Sequence, residues 1–138
     1  KGNLPYSLLY AGRGSLGKYS VSARNTFETM LPNEFLSDRY VALFYAHSYA
    51  LRFGKKFNPI IVARTSAGWG TLGNPQNHYN LPFKTLEKGF YESGLELNNL
   101  IRSGFTGIGV AAFCRYGPYA GPSFKTNAAV KLSVNLSF

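Results

Sequence analysis

The chain has 138 residues with 15 Lys and Arg against 6 Asp and Glu, a net charge of +9. That length suits one domain with a sizeable core, and no run approaches the 18 apolar residues that a transmembrane helix needs. Charged residues make up 15%, aromatics 16%, and glycine contributes 15 residues. Soluble domains carry roughly 25% charged residues, whereas barrels with aromatic girdles are Tyr-rich, Gly-rich and poor in charge. A single cysteine, Cys114, excludes an internal disulfide, and no Cys/His spacing suggests a metal site. The basic residues are scattered from Lys1 to Lys131 without a basic helix or RNA-binding motif, so anionic lipid is a better match than nucleic acid. The chain starts at Lys1 without a signal-like segment, and we expect a mature chain or a fragment of a larger protein.

Residues 1–37 do not read as regular strands. The stretch from Ala11 to Gly17 is turn-rich, and Pro32-Asn33 breaks the segment again. Phe27, Met30, Leu31, Phe35 and Leu36 are too apolar for a solvated linker, so a long loop packed on another element is expected.

Five strands should follow. Residues 39–53 alternate as one long strand, with Val41, Leu43, Tyr45, His47 and Tyr49 on one parity. Residues 57–72 place Ile61, Ala63, Thr65, Ala67 and Trp69 on one face and Arg64, Ser66, Gly68 and Gly70 on the other. A polar stretch from Gly73 to Lys88 reads as a loop. The third strand, 89–101, sets Tyr91, Ser93, Leu95, Leu97 and Ile101 against Glu92, Gly94 and Glu96, with a minimal turn near Arg102-Ser103. The fourth, 104–116, sets Ile108, Val110, Ala112, Cys114 and Tyr116 against Gly107, Gly109, Phe113 and Arg115. A loop at 117–126 leads to the terminal strand, where Ala128, Val130, Leu132, Val134, Leu136 and Phe138 alternate with Ala129, Lys131, Ser133 and Asn135.

Two regularities join these strands. Connections alternate between short (54–56, 102–103) and long (73–88, 117–126), as between the periplasmic turns and outer loops of a transmembrane barrel. The charges Arg64, Glu92, Glu96, Arg115 and Lys131 all fall on the more polar face. A Lys or Arg facing lipid at mid-bilayer costs about 2–4 kcal/mol. The expected fold is therefore all-β, an antiparallel transmembrane β-barrel of which residues 38–138 supply the C-terminal five or so strands. Residues 1–37 form a long outer or lumen-folded loop before them. Arg64, Glu92, Glu96, Arg115 and Lys131 would form a lumen charge network, with Arg13 of the loop meeting Glu92 or Glu96. Tyr49, Trp69, Tyr91 and Tyr116 would form an aromatic belt at the interface. Inward Gly68, Gly70, Gly94, Gly107 and Gly109 would leave a smooth patch for the loop, or accommodate curvature. A complete eight-stranded ligand-binding barrel and a secreted β-sandwich binding module are the alternatives.

Catalysis is not expected. His47 and Ser48 are adjacent on a strand and point to opposite faces. His78 sits in a Pro/Asn loop without a nearby nucleophile, and Cys114 lies in an apolar setting. Glu92 and Glu96 would stand about 13 Å apart along a strand, too far to act as a pair. Gly12, Gly14 and Gly17 lack the Lys-Ser/Thr of a phosphate loop. Neither a cofactor nor a metal is implied.

Four stretches carry a resemblance: Leu4 to Leu9, Asn33 to Val41 with its Glu-Phe-x-Ser-Asp-Arg-Tyr block, Trp69 to Leu72, and the terminal strand ending in Phe138. Through them the chain resembles the C-terminal end of a Bacteroidetes outer-membrane family of unknown function. That family joins a carboxypeptidase-regulatory-like domain to a bacterial-surface-antigen barrel, within the superfamily of the outer-membrane protein assembly factors. The assembly factors' Val/Ile-Arg-Gly-Phe/Tyr loop motif is not present. The resemblance implies location in the outer membrane of a Gram-negative bacterium. It also implies missing N-terminal strands of the same barrel and insertion by the barrel assembly machinery, with Phe138 as the insertion signal.

Overall fold

The computed structural model describes residues 8–53, 57–73 and 84–136. Five long strands form one antiparallel meander: β4 (Arg39–Ala50), β5 (Ile60–Thr71), β6 (Phe90–Ser103), β7 (Thr106–Tyr116) and β8 (Ala128–Leu136). Before them, the described part of the irregular segment holds the short strands β1 (Tyr10–Ala11), β2 (Tyr19–Val21) and β3 (Leu36–Ser37). β1 and β3 pair with each other, while β2 joins the main sheet, whose order is β2-β8-β7-β6-β5-β4. The sheet is open: β4 is not paired with β2.

The period-two sequences hold their register over long spans because β-branched and aromatic residues suit a pleated surface. Arg39 pairs with Thr71 and the ladder continues unbroken to Ala50 and Ile60. The one interruption lies between β6 and β7, where Leu97 faces Val110 and Ile101 faces Ile108, so three residues of β6 oppose one of β7. Asn99 adopts φ 60° within this bulge, a conformation that asparagine tolerates better than most residues. The bulge turns Asn99 inward, where it is buried beside Asn98, although strict alternation assigns it to the opposite face. The hairpin turn falls at Gly104-Phe105 rather than the expected Arg102-Ser103, because Ser103 pairs with Thr106 and Gly104 takes φ 58°. A 3-10 turn at Gly117–Tyr119 and a four-residue helix, α1 (Phe124–Asn127), make up the connection into β8. The expected short turn at 54–56, much of the 73–88 loop, and Phe138 lie outside the described residues.

Residues 8–37 cover one face of the sheet. Phe27, Met30 and Phe35 of this plug are fully buried against Leu86 and Phe90, with Tyr40, Ala42, Phe44 and Tyr119 packed around them. Phe27 meets Phe44 at 4.9 Å and Phe90 at 5.2 Å between ring centroids. Gly68 makes this seat possible: a Cβ there would stand 2.8 Å from Phe27 Cζ. Gly70 likewise lies under Ser37. Gly94, Gly107 and Gly109 do not meet the plug; their neighbours are Phe113, Asn99 and Ser133 of the sheet itself. The smooth patch is therefore two glycines wide, and the other three serve close packing within the sheet.

Candidate functional site

The covered face of the sheet is charged and the open face is apolar. From Ala129 to Val134 of β8 the alternation is strict, with Ala129, Lys131 and Ser133 buried and Val130, Leu132 and Val134 exposed. The same alternation runs through the neighbours: Glu92 is 1% exposed and Lys131 2%, while Leu95 is 59% and Leu43 65%. A soluble sheet that covers one face ordinarily covers the apolar one. Here the apolar cluster around Phe27 occupies only one end of the buried face, and the middle is ionic.

Arg64 is the hub. Its Nη1 stands 2.6 Å from Glu96 Oε1 and 3.5 Å from Glu28 Oε1, and it donates to Ser22 Oγ at 2.9 Å. Nη2 donates to the Ala23 carbonyl, and the guanidinium lies 5.1 Å from the Phe113 ring centroid. Glu28 also accepts from the Ala23 N–H at 2.7 Å. Lys131, fully enclosed, donates to Ser15 Oγ, Ser20 Oγ and the Gly17 carbonyl, and its Nζ lies 3.8 Å from Glu28 Oε2. Thus Arg64 and Lys131 of the sheet flank Glu28 of the plug. Two buried cations around one carboxylate fix the plug's position because a displaced Glu28 would lose both partners while still desolvated.

Glu92 is held differently. It accepts from the Glu28 and Thr29 backbone N–H groups at 2.8 and 2.9 Å and from Thr29 Oγ1 at 2.7 Å. Hydrogen bonds to a carboxylate are stronger than neutral ones, so Glu92 anchors the plug backbone directly. A second ionic group lies at the rim: Glu34 meets Arg115 at 3.3 Å and Lys84 at 3.1 Å.

The structure thus places Arg64, Glu92, Glu96, Arg115 and Lys131 on one face, joined to the plug through two separate ionic groups and the hydrogen bonds that Glu92 accepts. Arg13 is the exception and a correction. Its side chain is exposed, while the glutamates' partners are Arg64, Ser22, Asn98 and the 28–29 backbone. Arg13 enters the fold through its carbonyl, which accepts from the Phe27 N–H. Glu28, Glu34, Ser22, Thr29 and Lys84 are the contributors that sequence reasoning missed. They sit in irregular stretches where no periodicity says which way a side chain points. The one available signal was charge balance, since the sheet's inward parity alone offers three cations and two carboxylates.

On the open face, Trp69, Tyr91 and Tyr116 form a continuous row at one end of the strands. Trp69 and Tyr91 meet edge-on at 5.7 Å, and Tyr91 stacks on Tyr116 at 6.2 Å. Below the row, hydroxyls of Tyr116, Ser93 and Thr65 are linked at 3.1 and 3.0 Å. Tyr49 shares the face but lies at the opposite end of the sheet, paired with Ile61. These four therefore mark both ends of the apolar band rather than a single belt.

Beside the plug, on the inner face, a cavity of about 380 Å3 is lined by Arg24, Ser48, Arg64, Glu96, Asn98 and Asn135 among others. Ser22, which also lines it, donates to Glu96 Oε1 at 2.9 Å. His47 and Ser48 sit opposite Ala63 and Val62 on different faces, and no group of three metal-ligating side chains occurs among the described residues.

Sheet, plug and ionic interface together define an all-β protein whose charged face is internal and whose apolar face is uncovered. Comparison with protein-family models, curated proteins and solved structures finds no match for this chain.

Proposed function

We propose that residues 38–138 are the C-terminal strands of an integral outer-membrane β-barrel and that the preceding segment is a plug seated in its lumen. The single observation that carries this reading is the inverted polarity of the sheet. Val41, Leu43, Leu95, Val110, Val130, Leu132 and Val134 form an exposed apolar face, far broader than the scattered apolar residues of a soluble surface. Lys131 and Glu92 of the sheet lie buried beneath the plug, and Glu28 is buried on the plug's side of the same interface. Strands of 12, 12, 14 and 11 residues in β4 to β7 also suit a bilayer, which takes about 9–11 tilted residues to cross. Aromatics at both ends of the apolar band suit its two interfaces. A secreted sandwich would bury the apolar face instead.

The role that follows is non-enzymatic: surface display, transport or outer-membrane assembly, with outer-membrane lipid as the immediate partner. The resemblance through the Glu34 to Tyr40 block supports the same placement in a Gram-negative, Bacteroidetes-type outer membrane. It also supports insertion by the barrel assembly machinery. Because β4 and β8 are the two ends of an open meander, closure requires further strands of the same barrel.

Leu95, central on the open face between Ala63 and Ala112, offers the test. Leu95→Arg should destabilise the vesicle-inserted protein by about 2–4 kcal/mol in urea unfolding. The same change on a water-facing surface costs within about 0.5 kcal/mol, and that result would defeat the membrane reading.

A further inference from the structure

We propose that the cavity between plug and sheet is a binding site for a sugar acid, a polyhydroxylated molecule carrying one carboxylate. The inference rests on the barrel reading only for the transport role that such a site would serve. The cavity's volume, about 380 Å3, falls within the roughly 300–1,000 Å3 of small-molecule sites. The plug contributes Ser22 to Asn25 to its lining, and the sheet contributes residues of β4, β5, β6 and β8. Around Glu92 and Lys131, plug and sheet spend their polar groups on each other. At the cavity they do not. The side chains of Arg24, Asn25, Ser48 and Asn135 all belong to its lining and make no hydrogen bond or ion pair among the described residues.

The unspent groups set the ligand's chemistry. Arg64 and Glu96 neutralise each other at 2.6 Å, which leaves Arg24 as the uncompensated charge among the described lining residues. A guanidinium is a planar fork that matches a carboxylate with two parallel hydrogen bonds. Asn25 and Asn135 offer amides that both donate and accept, and the Ser48 hydroxyl does the same. Their natural counterparts are hydroxyls, which also do both. Asn98 donates to Glu96 Oε2 at 3.3 Å and accepts from Ser133 Oγ, so one of its amide hydrogens is unspent. Beside these groups, Phe44, Ala46 and Val62 give the cavity an apolar wall, which suits the C–H face of a sugar ring. A phosphate dianion would call for a second free cation, and a neutral sugar would leave Arg24 unused.

The test titrates the 138-residue chain in detergent micelles with glucuronate, glucose and inorganic phosphate by calorimetry. We expect glucuronate to bind about tenfold or more tightly than either of the others. Arg24→Gln, at an exposed position, should abolish the preference over glucose. Ala46→Phe, which fills the cavity from β4, should weaken glucuronate binding by about tenfold or more. Absence of glucuronate binding, equal affinity for glucose or phosphate, a preference that survives Arg24→Gln, or binding that survives Ala46→Phe overturns the proposal. Flotation of the same protein with lipid vesicles judges the barrel separately. A chain that binds glucuronate without floating keeps the site and loses the membrane reading, and one that floats without binding loses the site alone.

Discussion

Arg64→Leu should destabilise the protein by about 3–5 kcal/mol, the range for removing one partner of a buried ion pair. The substitution keeps apolar volume but leaves Glu28 and Glu96, which share Ser22 as a hydrogen-bond partner, without the guanidinium between them. Lys131, at 3.8 Å from the far oxygen of Glu28, compensates only one of the two. Adding Glu96→Gln to Arg64→Leu removes the unpaired charge and should recover part of the loss. The two effects will not add, because both residues belong to one network. Urea unfolding in a fixed lipid composition measures both variants. A loss under about 1 kcal/mol for Arg64→Leu would show that the interface is solvated and does not position the plug.

Phe27→Ala should cost a similar amount, about 3–5 kcal/mol, but its signature should differ. Phe27 is fully buried and is the ring that meets Phe44, Phe90 and Gly68 together. The sheet retains its ladders without it, so the loss should appear as local opening of residues 8–37 rather than unfolding of β4 to β8. Hydrogen exchange resolves the two: amides of Phe27 and Glu28 should lose protection by orders of magnitude while those of β5 and β6 stay slow. Uniform loss throughout the sheet would mean that plug and strands form one cooperative unit.

The strands were legible because alternation at period two runs through them, broken in β6 at the Asn98–Asn99 bulge, and because their charges share one face. Their boundaries shifted by a few residues where backbone chemistry overrode the pattern. The bulge at Asn98 and Asn99 is an example: its asparagine signal is a turn signal embedded in a strand. β2 was not legible at all. Its three residues carry no pattern of their own, and their place depends on the edge of β8 more than a hundred residues later in the chain. For the same reason Glu28 and Glu34 were invisible as partners while Arg13, conspicuous between two glycines, was expected to take their place. Side-chain direction in an irregular segment is fixed by tertiary packing, here by Phe27 and Met30 locking into the core.

The most direct measurement is fluorescence from Trp69, the only tryptophan in the chain, which is 39% exposed on the open face at the end of β5. In vesicles carrying lipid-borne quenchers at different depths, the account predicts strong quenching from labels near the interface, weaker quenching from labels at the bilayer centre, and protection from aqueous iodide. Free quenching by iodide with no effect from any lipid-borne label would contradict it.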